Sequence, residues 1–527
     1  RVPGFYGFSP PVKPKIIAKK KTVGLATAIS KPLDRDRAVD ETGNQVSVLG
    51  RIGSRPFTLE EMRKMFLTKE GKEAAARLAS LVATAVVLVV GAVSLAGMIF
   101  APGLVEIFSP GFAAEPGKFE LAVTLTRIMF PFLLLVALAA QAMGMLNASG
   151  SFAVPAMAST FFNIGSMAVG LFLGYVAGPH IGLSPIGGIA WGVVFGGALQ
   201  LFWQVPSLYK HGYSFRPMIN WSDPYLRRII TLMVPAILGN AAVQVNNAVN
   251  SNLASTLPDH NGPVSWLGYA FRFMQLPLGI FGVSMASAAL PSISRSAALG
   301  DMEQFRRTLS DALAMVFLLT VPSSLGLVIL GPSVIGAIYQ HGNFTPHATE
   351  QTALALSCYS IGLAGYAALK VLTPAFYALG SARFPTLIGV LSIGVNYGVA
   401  HTMISVFGFG HASLALSTSA VALFGFIVQF IALRAKVGGL HGRELSRRLV
   451  RIGLASAAMG IVAYGSTTGM RAWLGISQGA RIADVVVSVP LGLAVYYSMC
   501  RLLKLTEIDL ALRAFTGPLK RLAGRFV

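Results

Sequence analysis

Charge is scarce in this chain. Asp, Glu, Lys and Arg make up 12% of its 527 residues, while 54% are hydrophobic and the mean hydropathy is +0.65. Soluble domains carry about 25% charged residues, so this composition excludes an ordinary water-soluble fold. Cysteine is nearly absent: Cys358 and Cys500 lie in or near separate apolar stretches, with no CxxC and no partner at ligand spacing. A disulfide framework and a thiolate metal site are therefore not expected, and both read as small core residues. The eight histidines form no HxxxH pair, no GxxxxGK[ST] phosphate loop occurs, and Gly408-Phe-Gly410 lacks the third glycine of a dinucleotide turn. Nothing here points to ATP hydrolysis, a metal, a cofactor or a catalytic nucleophile.

What is present is long apolar runs. Stretches of at least about 18 apolar residues fall at 78–100, 121–146, 153–177, 186–208, 229–257, 264–291, 311–340, 353–380, 384–407, 410–434, 449–473 and 482–505. The expected fold class is all-α: a polytopic membrane protein of about twelve transmembrane helices. The formal charge of +21 would suggest nucleic acid in a soluble protein. Here it tests topology instead, because Lys and Arg concentrate in cytoplasmic loops. With residues 1–77 cytoplasmic, the connections and end on that side hold 20 Lys or Arg, against Lys118, Arg471 and Arg481 opposite. Both termini are therefore expected in the cytoplasm, with membrane lipid and not nucleic acid around the chain.

Residues 1–77 differ in kind, with sixteen Lys or Arg, eight Asp or Glu and no apolar run of membrane length. They read as a polar, basic, largely disordered cytoplasmic tail, with lipid binding by the Lys19-Lys20-Lys21 run as the alternative. Beyond it the chain resembles itself at an offset of 230. Pro102 in Ala101-Pro-Gly-Leu matches Pro332 in Gly331-Pro-Ser-Val, and Pro155 ending Ser151-Phe-Ala-Val-Pro matches Pro385 in Ala382-Arg-Phe-Pro. Internal repeats of this kind mark secondary-transporter folds. Carrying the spans at 229–257 and 264–291 back by 230 lands on polar sequence. The expected organisation is then an incomplete first lobe of four helices (78–208), a second lobe of six (229–434), a C-terminal helix pair (449–505) and a basic tail (506–527).

Four polar groups within the spans are candidate substrate contacts. A charge inside a bilayer costs roughly 2.5 to 3.5 kcal/mol on insertion scales, so it tends to face a cavity. Arg272 lies eight residues into the span at 264–291 and fits either a cavity or snorkelling to the interface. Lys370 is deeper, in Ala368-Leu-Lys-Val-Leu-Thr-Pro374, and favours a cavity; Arg127 is nearer the outer end of its span and favours snorkelling. Asn250 belongs to a polar series with Gln244, Asn246, Asn247 and Asn252, which either lines a hydrophilic cleft or hydrogen-bonds between helices. The steps Gly188/Gly192/Gly196 and Gly394/Gly398 read as packing faces. The span prolines, Pro131, Pro235, Pro277, Pro322 and Pro374, read as bends.

The stretch from Gly262 through Tyr269-Ala-Phe-Arg272-Phe-Met-Gln-Leu-Pro277 to Leu290-Pro291-Ser-Ile-Ser-Arg295 resembles the eighth helix of the MurJ (MviN) lipid II flippase family, in the multidrug/oligosaccharidyl-lipid/polysaccharide exporter superfamily. Pro235-Ala-Ile-Leu-Gly239 and Lys370-Val-Leu-Thr-Pro-Ala-Phe-Tyr377 also resemble that family, and the likeness covers about residues 70–527. It implies two six-helix lobes plus a C-terminal pair that forms a groove for a polyprenyl tail. It also implies a cationic cavity that takes lipid II from the cytoplasmic side of the bacterial inner membrane and releases it outside, driven by membrane potential or an ion gradient. Arg272 matches the family's cavity arginine. The chain departs from the family where the first two helices bear further essential charges, at Phe271, commonly acidic, and at Asn250, acidic in some members, so no sodium site is expected. The expected protein is a monomeric flippase, not an enzyme; the alternatives are an exporter of drugs or another polyprenyl-linked glycan, or a truncated non-transporting scaffold.

Overall fold

The computed structural model describes residues 69–258, 262–505 and 507–509, together with four two-residue strands among the first 56 residues. Most of the stretch read as a polar tail, and most of the basic C-terminal tail, lies outside the described residues. The strands pair locally, Lys15–Ile16 with Ala38–Val39 and Arg51–Ile52 with Arg55–Pro56. Everything else with regular structure is helical.

The helices are α1 (Lys69–Ile99), α2 (Ala101–Phe108), α3 (Lys118–Met129), α4 (Pro131–Ala148), α5 (Ala153–Leu171), α6 (Pro185–Lys210), α7 (Pro224–Ser255), α8 (Pro263–Pro277), α9 (Ser284–Leu299), α10 (Met302–Tyr339), α11 (Pro346–Ala378), α12 (Arg383–Ser405), α13 (Ala412–Lys436), α14 (Gly442–Leu474) and α15 (Gln478–Leu502). Among the described residues, eleven helical stretches are long and apolar enough to cross a bilayer. The twelfth expected span, 229–257, is helical as α7, but several of its side chains lie outside the described set. Three spans are compound: α3 and α4 form one broken at Phe130, where Pro131 takes the first position of the new helix; α5 runs on through a π-helical turn, Phe172–Ala177, and a short 3-10 turn; and α8 and α9 form another joined by a π-helical turn, Leu278–Val283.

Local sequence sets the helix starts. Ser184, Thr345 and Ser477 each accept a backbone N–H three residues on, from Gly187, Ala348 and Ala480, and Asp301 does the same for Gln304. These side-chain oxygens pair donors that a helix start leaves unsatisfied. Pro185 and Pro346 follow two of them at the first helical position, where a missing N–H costs nothing. Gly300, at φ 71°, ends α9 in the left-handed conformation and hands the chain to Asp301. Pro155 and Pro385 each stand third in their helices, α5 and α12.

The chain divides into two compact units, one of residues 1–105 and 117–235, the other of residues 106–116 and 236–527. In the first, α5 and α6 pack through glycine. A Cβ at Gly192 would stand 2.5 Å from Gly170 Cα and the Ser166 carbonyl, and one at Gly196 would stand 2.7 Å from the Phe162 carbonyl. The Gly188/Gly192/Gly196 step is thus a packing face of the small-residue kind that lets membrane helices approach closely. The Gly394/Gly398 step is not: a Cβ at either would meet nothing within 4 Å.

In the second unit α11 is the most buried span, with 61% of its most apolar window inside. It lies against α10, α13 and α8. Its core joins Leu313, Leu372, Phe376 and Leu433 with Ile452 and Tyr496 of the C-terminal pair. That pair docks on α10 through polar groups as well. Asp484 of α15 is 1% exposed; its carboxylate accepts hydrogen bonds from Ser333 of α10 (2.5 Å), Thr467 of α14 (3.1 Å) and Ser488 (2.6 Å). Arg471 Nη2 stands 3.4 Å from the same Ser333 hydroxyl.

Candidate functional site

A hydrophilic seam runs through the second unit where α7, α12 and α13 meet. Asn250 uses both ends of its amide: Oδ1 accepts from Asn396 Nδ2 at 3.0 Å and Nδ2 donates to Thr418 Oγ1 at 2.9 Å. Ser417 donates to Asn396 Oδ1 at 2.8 Å, and one turn before Asn250, Asn246 donates to Ser392 at 3.0 Å. Asn396 and Ser417 are almost fully buried, so this network replaces water for groups that would otherwise cost stability. It opens on a cavity of 170 Å³ lined by Asn247, Asn250, Phe271, Tyr359 and Thr418 among others. The polar series of α7 therefore does both things left open by sequence: Asn246 and Asn250 bond between helices, while Asn247 and Asn250 line a cleft. Among the described residues no three His, Cys, Asp or Glu side chains converge as metal ligands.

Phe271 and Arg272 leave α8 in different directions. Phe271 faces the cavity and packs edge-on against Tyr359, 5.5 Å between centroids. Trp266, Leu267, Ala270 and Met274 are buried. Ser265, Gly268, Arg272, Gln275 and Gly279 are all exposed and share one stripe by helical spacing, with Leu276 at its margin. A Cβ on Gly268 or Gly279 would meet nothing within 4 Å. Arg272 lies over the Tyr269 ring, 5.8 Å from its centroid, a cation–π geometry. No carboxylate stands within 4 Å of it among the described residues. A small, polar stripe bearing one guanidinium differs from the lipid-facing surface of Val89, Val93 and Leu95 on α1, all more than half exposed.

Lys370 is exposed on α11, as is Tyr377 two turns on along the same side, while the exposed Leu354 and Ile361 lie on the opposite side by helical spacing. The π-helical turn touches α11 where a Cβ on Gly282 would stand 3.2 Å from Ala367 Cβ. Lys370 is about one turn from that contact, and Arg272 is ten residues before it, roughly 15 Å at 1.5 Å per residue. The two cations are therefore separate stations on neighbouring helices, not one clamp. Arg127, in the first unit, is exposed and donates Nε to the Met98 carbonyl at 3.2 Å. It satisfies an end carbonyl of α1, a structural task suited to a cation at a helix C-terminus.

Sequence reading missed Asn396 and Thr418 as the partners of Asn250, and Ser417 as a partner of Asn396. Each is an isolated polar residue in an apolar span, and spacing within one helix carries no record of which neighbour it meets. Asp484 had a signal, being a carboxylate inside the span at 482–505.

The family model for the lipid II flippase MurJ matches residues 63–482. The chain belongs to the lipid II flippase MurJ family. Among its relatives, the probable lipid II flippase MurJ of Vibrio cholerae is 32% identical over 431 residues, covering 79% of each chain. The lipid II flippase MurJ of Burkholderia cenocepacia is 31% identical over 375 residues, 70% of this chain and 71% of that one. Solved structures share the fold at low identity. A lipid II flippase MurJ in an inward closed conformation aligns with TM-score 0.63 at 22% identity, covering 84% of this chain and 90% of that one. An inward-facing multidrug resistance MATE transporter of the MOP superfamily also gives 0.63, at 15% identity over 71% and 83%. Phe271, just before Arg272, is turned into the 170 Å³ cavity, while the arginine itself stands on the open stripe.

Proposed function

We propose that the chain is a lipid II flippase, moving the lipid-linked peptidoglycan precursor from the cytoplasmic to the outer leaflet of the bacterial inner membrane by alternating access. It acts as a transporter and not as an enzyme, as a monomer, with both termini in the cytoplasm. Family membership supports the substrate, and the observation that carries the reading is Arg272, a guanidinium without a carboxylate partner among the described residues, on an exposed polar stripe of a membrane helix.

The chemistry suits a diphosphate. A planar guanidinium donates two parallel hydrogen bonds to phosphate oxygens, which a point charge cannot match. Arg272 receives the anionic headgroup, and Lys370, set apart along the neighbouring helix, offers a second cationic station. Stations that each offset part of the charge bind firmly enough to admit the headgroup without trapping it. Arg127 and Asn250 rank below them as substrate contacts: the first is engaged at the end of α1, the second in the seam network. Alternation itself requires only that substrate bind the inward-open and outward-open states with different affinity. Pro277 and the π-helical turn after it interrupt regular hydrogen bonding in the helix that bears Arg272, giving a place to bend.

The test is growth of a bacterium depleted of its own lipid II flippase. The wild-type chain restores growth, Arg272→Ala abolishes rescue at equal membrane abundance, and Arg272→Lys restores it in part. Rescue by the Ala variant equal to wild type would remove Arg272 from the transport path.

A further inference from the structure

The first unit contains a cavity that the transport reading does not use. It has a volume of 280 Å³, and its walls come from α1, α4 and α6, with Ala83, Val87, Leu138, Met145, Leu201 and Val205 among them. Tyr213, Ser214 and Phe215, in the connection after α6, complete its lining.

That connection is held in place by hydrogen bonds. Ser80 on α1 donates its hydroxyl to the Ser214 carbonyl at 3.2 Å and accepts the Arg216 amide at 3.2 Å. One turn further on, Thr84 accepts the Met218 amide at 3.1 Å. The Tyr213 hydroxyl stands 3.2 Å from that of Ser149, just past the end of α4. The connection is thus strapped along α1, with its polar backbone satisfied by two serine or threonine hydroxyls. Two cations adjoin these lining residues in the chain: Lys210 follows Tyr209 and Arg216 follows Phe215. Both are exposed, and neither has a carboxylate within 4 Å among the described residues.

An apolar cavity between membrane-spanning helices, with two exposed cations next in the chain to residues at its connection side, has the polarity of a lipid read from tail to headgroup. We propose that it is a structural binding site for one anionic phospholipid of the cytoplasmic leaflet, with an acyl chain in the cavity and its phosphate at Lys210 and Arg216. The leaflet follows from the charge distribution that places this connection on the cytoplasmic side, where anionic lipid attracts basic residues. An interfacial Lys or Arg is worth about a factor of five in affinity for such lipid, so two together are worth about thirtyfold.

The experiment uses the full-length purified chain in detergent, mixed with vesicle lipid of phosphatidylcholine alone or with one fifth phosphatidylglycerol, and native mass spectrometry to count retained lipid. The expected result is one tightly retained phosphatidylglycerol in the wild type, bound about thirtyfold more weakly by the Lys210→Ala/Arg216→Ala double variant, with phosphatidylcholine binding unchanged. A photo-crosslinking amino acid at Ala83 should label an acyl chain, which checks the cavity without requiring a filled-cavity variant to fold. The Arg272→Ala chain, inactive in transport under the reading above, should keep the phospholipid, so the two proposals fail separately. Equal retention of both lipids, an unchanged double variant, crosslinks to this chain's own residues, or displacement of the phospholipid by a lipid-linked diphosphate would each overturn the proposal.

Discussion

Arg272 is exposed on a membrane helix, over the Tyr269 ring and with no carboxylate within 4 Å among the described residues. Its charge is therefore available to an anion from outside the chain. Charge-assisted hydrogen bonds contribute about 1.5 to 3 kcal/mol each, so exchanging the fork for a single ammonium should weaken headgroup binding by about tenfold or more. Titrating a headgroup analogue against Arg272→Lys and Arg272→Ala checks this, with Ala the weaker. At the seam, Asn250 and Asn396 share a direct hydrogen bond and each has further partners. Replacing either by Ala should cost about 1 to 3 kcal/mol by leaving buried groups unpaired. The double variant should cost less than the sum, with a coupling of about 0.5 kcal/mol or more between the two sites. Thermal unfolding in detergent reads both. At this scale the sequence marked Arg272 and Lys370 because a charge interrupts an apolar run, and both side chains are exposed on their helices. It was silent where the meaning lies in a partner: nothing near Asn396 in the chain announces Asn250, 146 residues away.

Among elements, the glycine steps show why spacing alone is ambiguous. Gly192 and Gly394 both sit in GxxxG patterns, yet a Cβ on the first would strike backbone at 2.5 Å and one on the second would meet nothing. Gly192→Ala should separate α5 from α6 and lower the thermal midpoint, because backbone cannot yield as a flexible side chain can. Gly394→Ala should leave it unchanged or slightly raised, since Ala favours helix over Gly by about 1 kcal/mol. The C-terminal pair gives a second case. Asp484 accepts three hydroxyl bonds, one of them from α10, and so fastens α14 and α15 to the second unit. Asp484→Ala removes the acceptor shared by three buried hydroxyls, and its cost should reach about 3 kcal/mol, read as a lower thermal midpoint in detergent. Element boundaries were only partly legible: α10 begins at Met302 although its apolar run begins near 311, because a helix can continue into water while hydropathy records only the part in lipid. Pro131 was read as a bend and starts a new helix, as the missing N–H and the fixed φ of proline favour a first position.

For the molecule as a whole, membrane character and fold class were legible because a bilayer demands runs of about 20 apolar residues and intrasegment hydrogen bonding. The family was legible because the stretch around Arg272 is distinctive, and residues 63–482 match its model. The seam network, the strapped cavity of the first unit and the role of Asp484 were not legible, since each joins residues from three or more segments distant in the chain. The central claim is that this chain carries a lipid-linked diphosphate across a bilayer and that Arg272 engages it. The most direct measurement reconstitutes the purified chain into vesicles holding fluorescent lipid II on the inner leaflet and follows the label reaching an impermeant quencher outside. The account predicts quenching faster than in protein-free vesicles and a return to the protein-free rate for Arg272→Ala. Equal rates for the wild-type chain and protein-free vesicles, or for the wild type and Arg272→Ala, would contradict it.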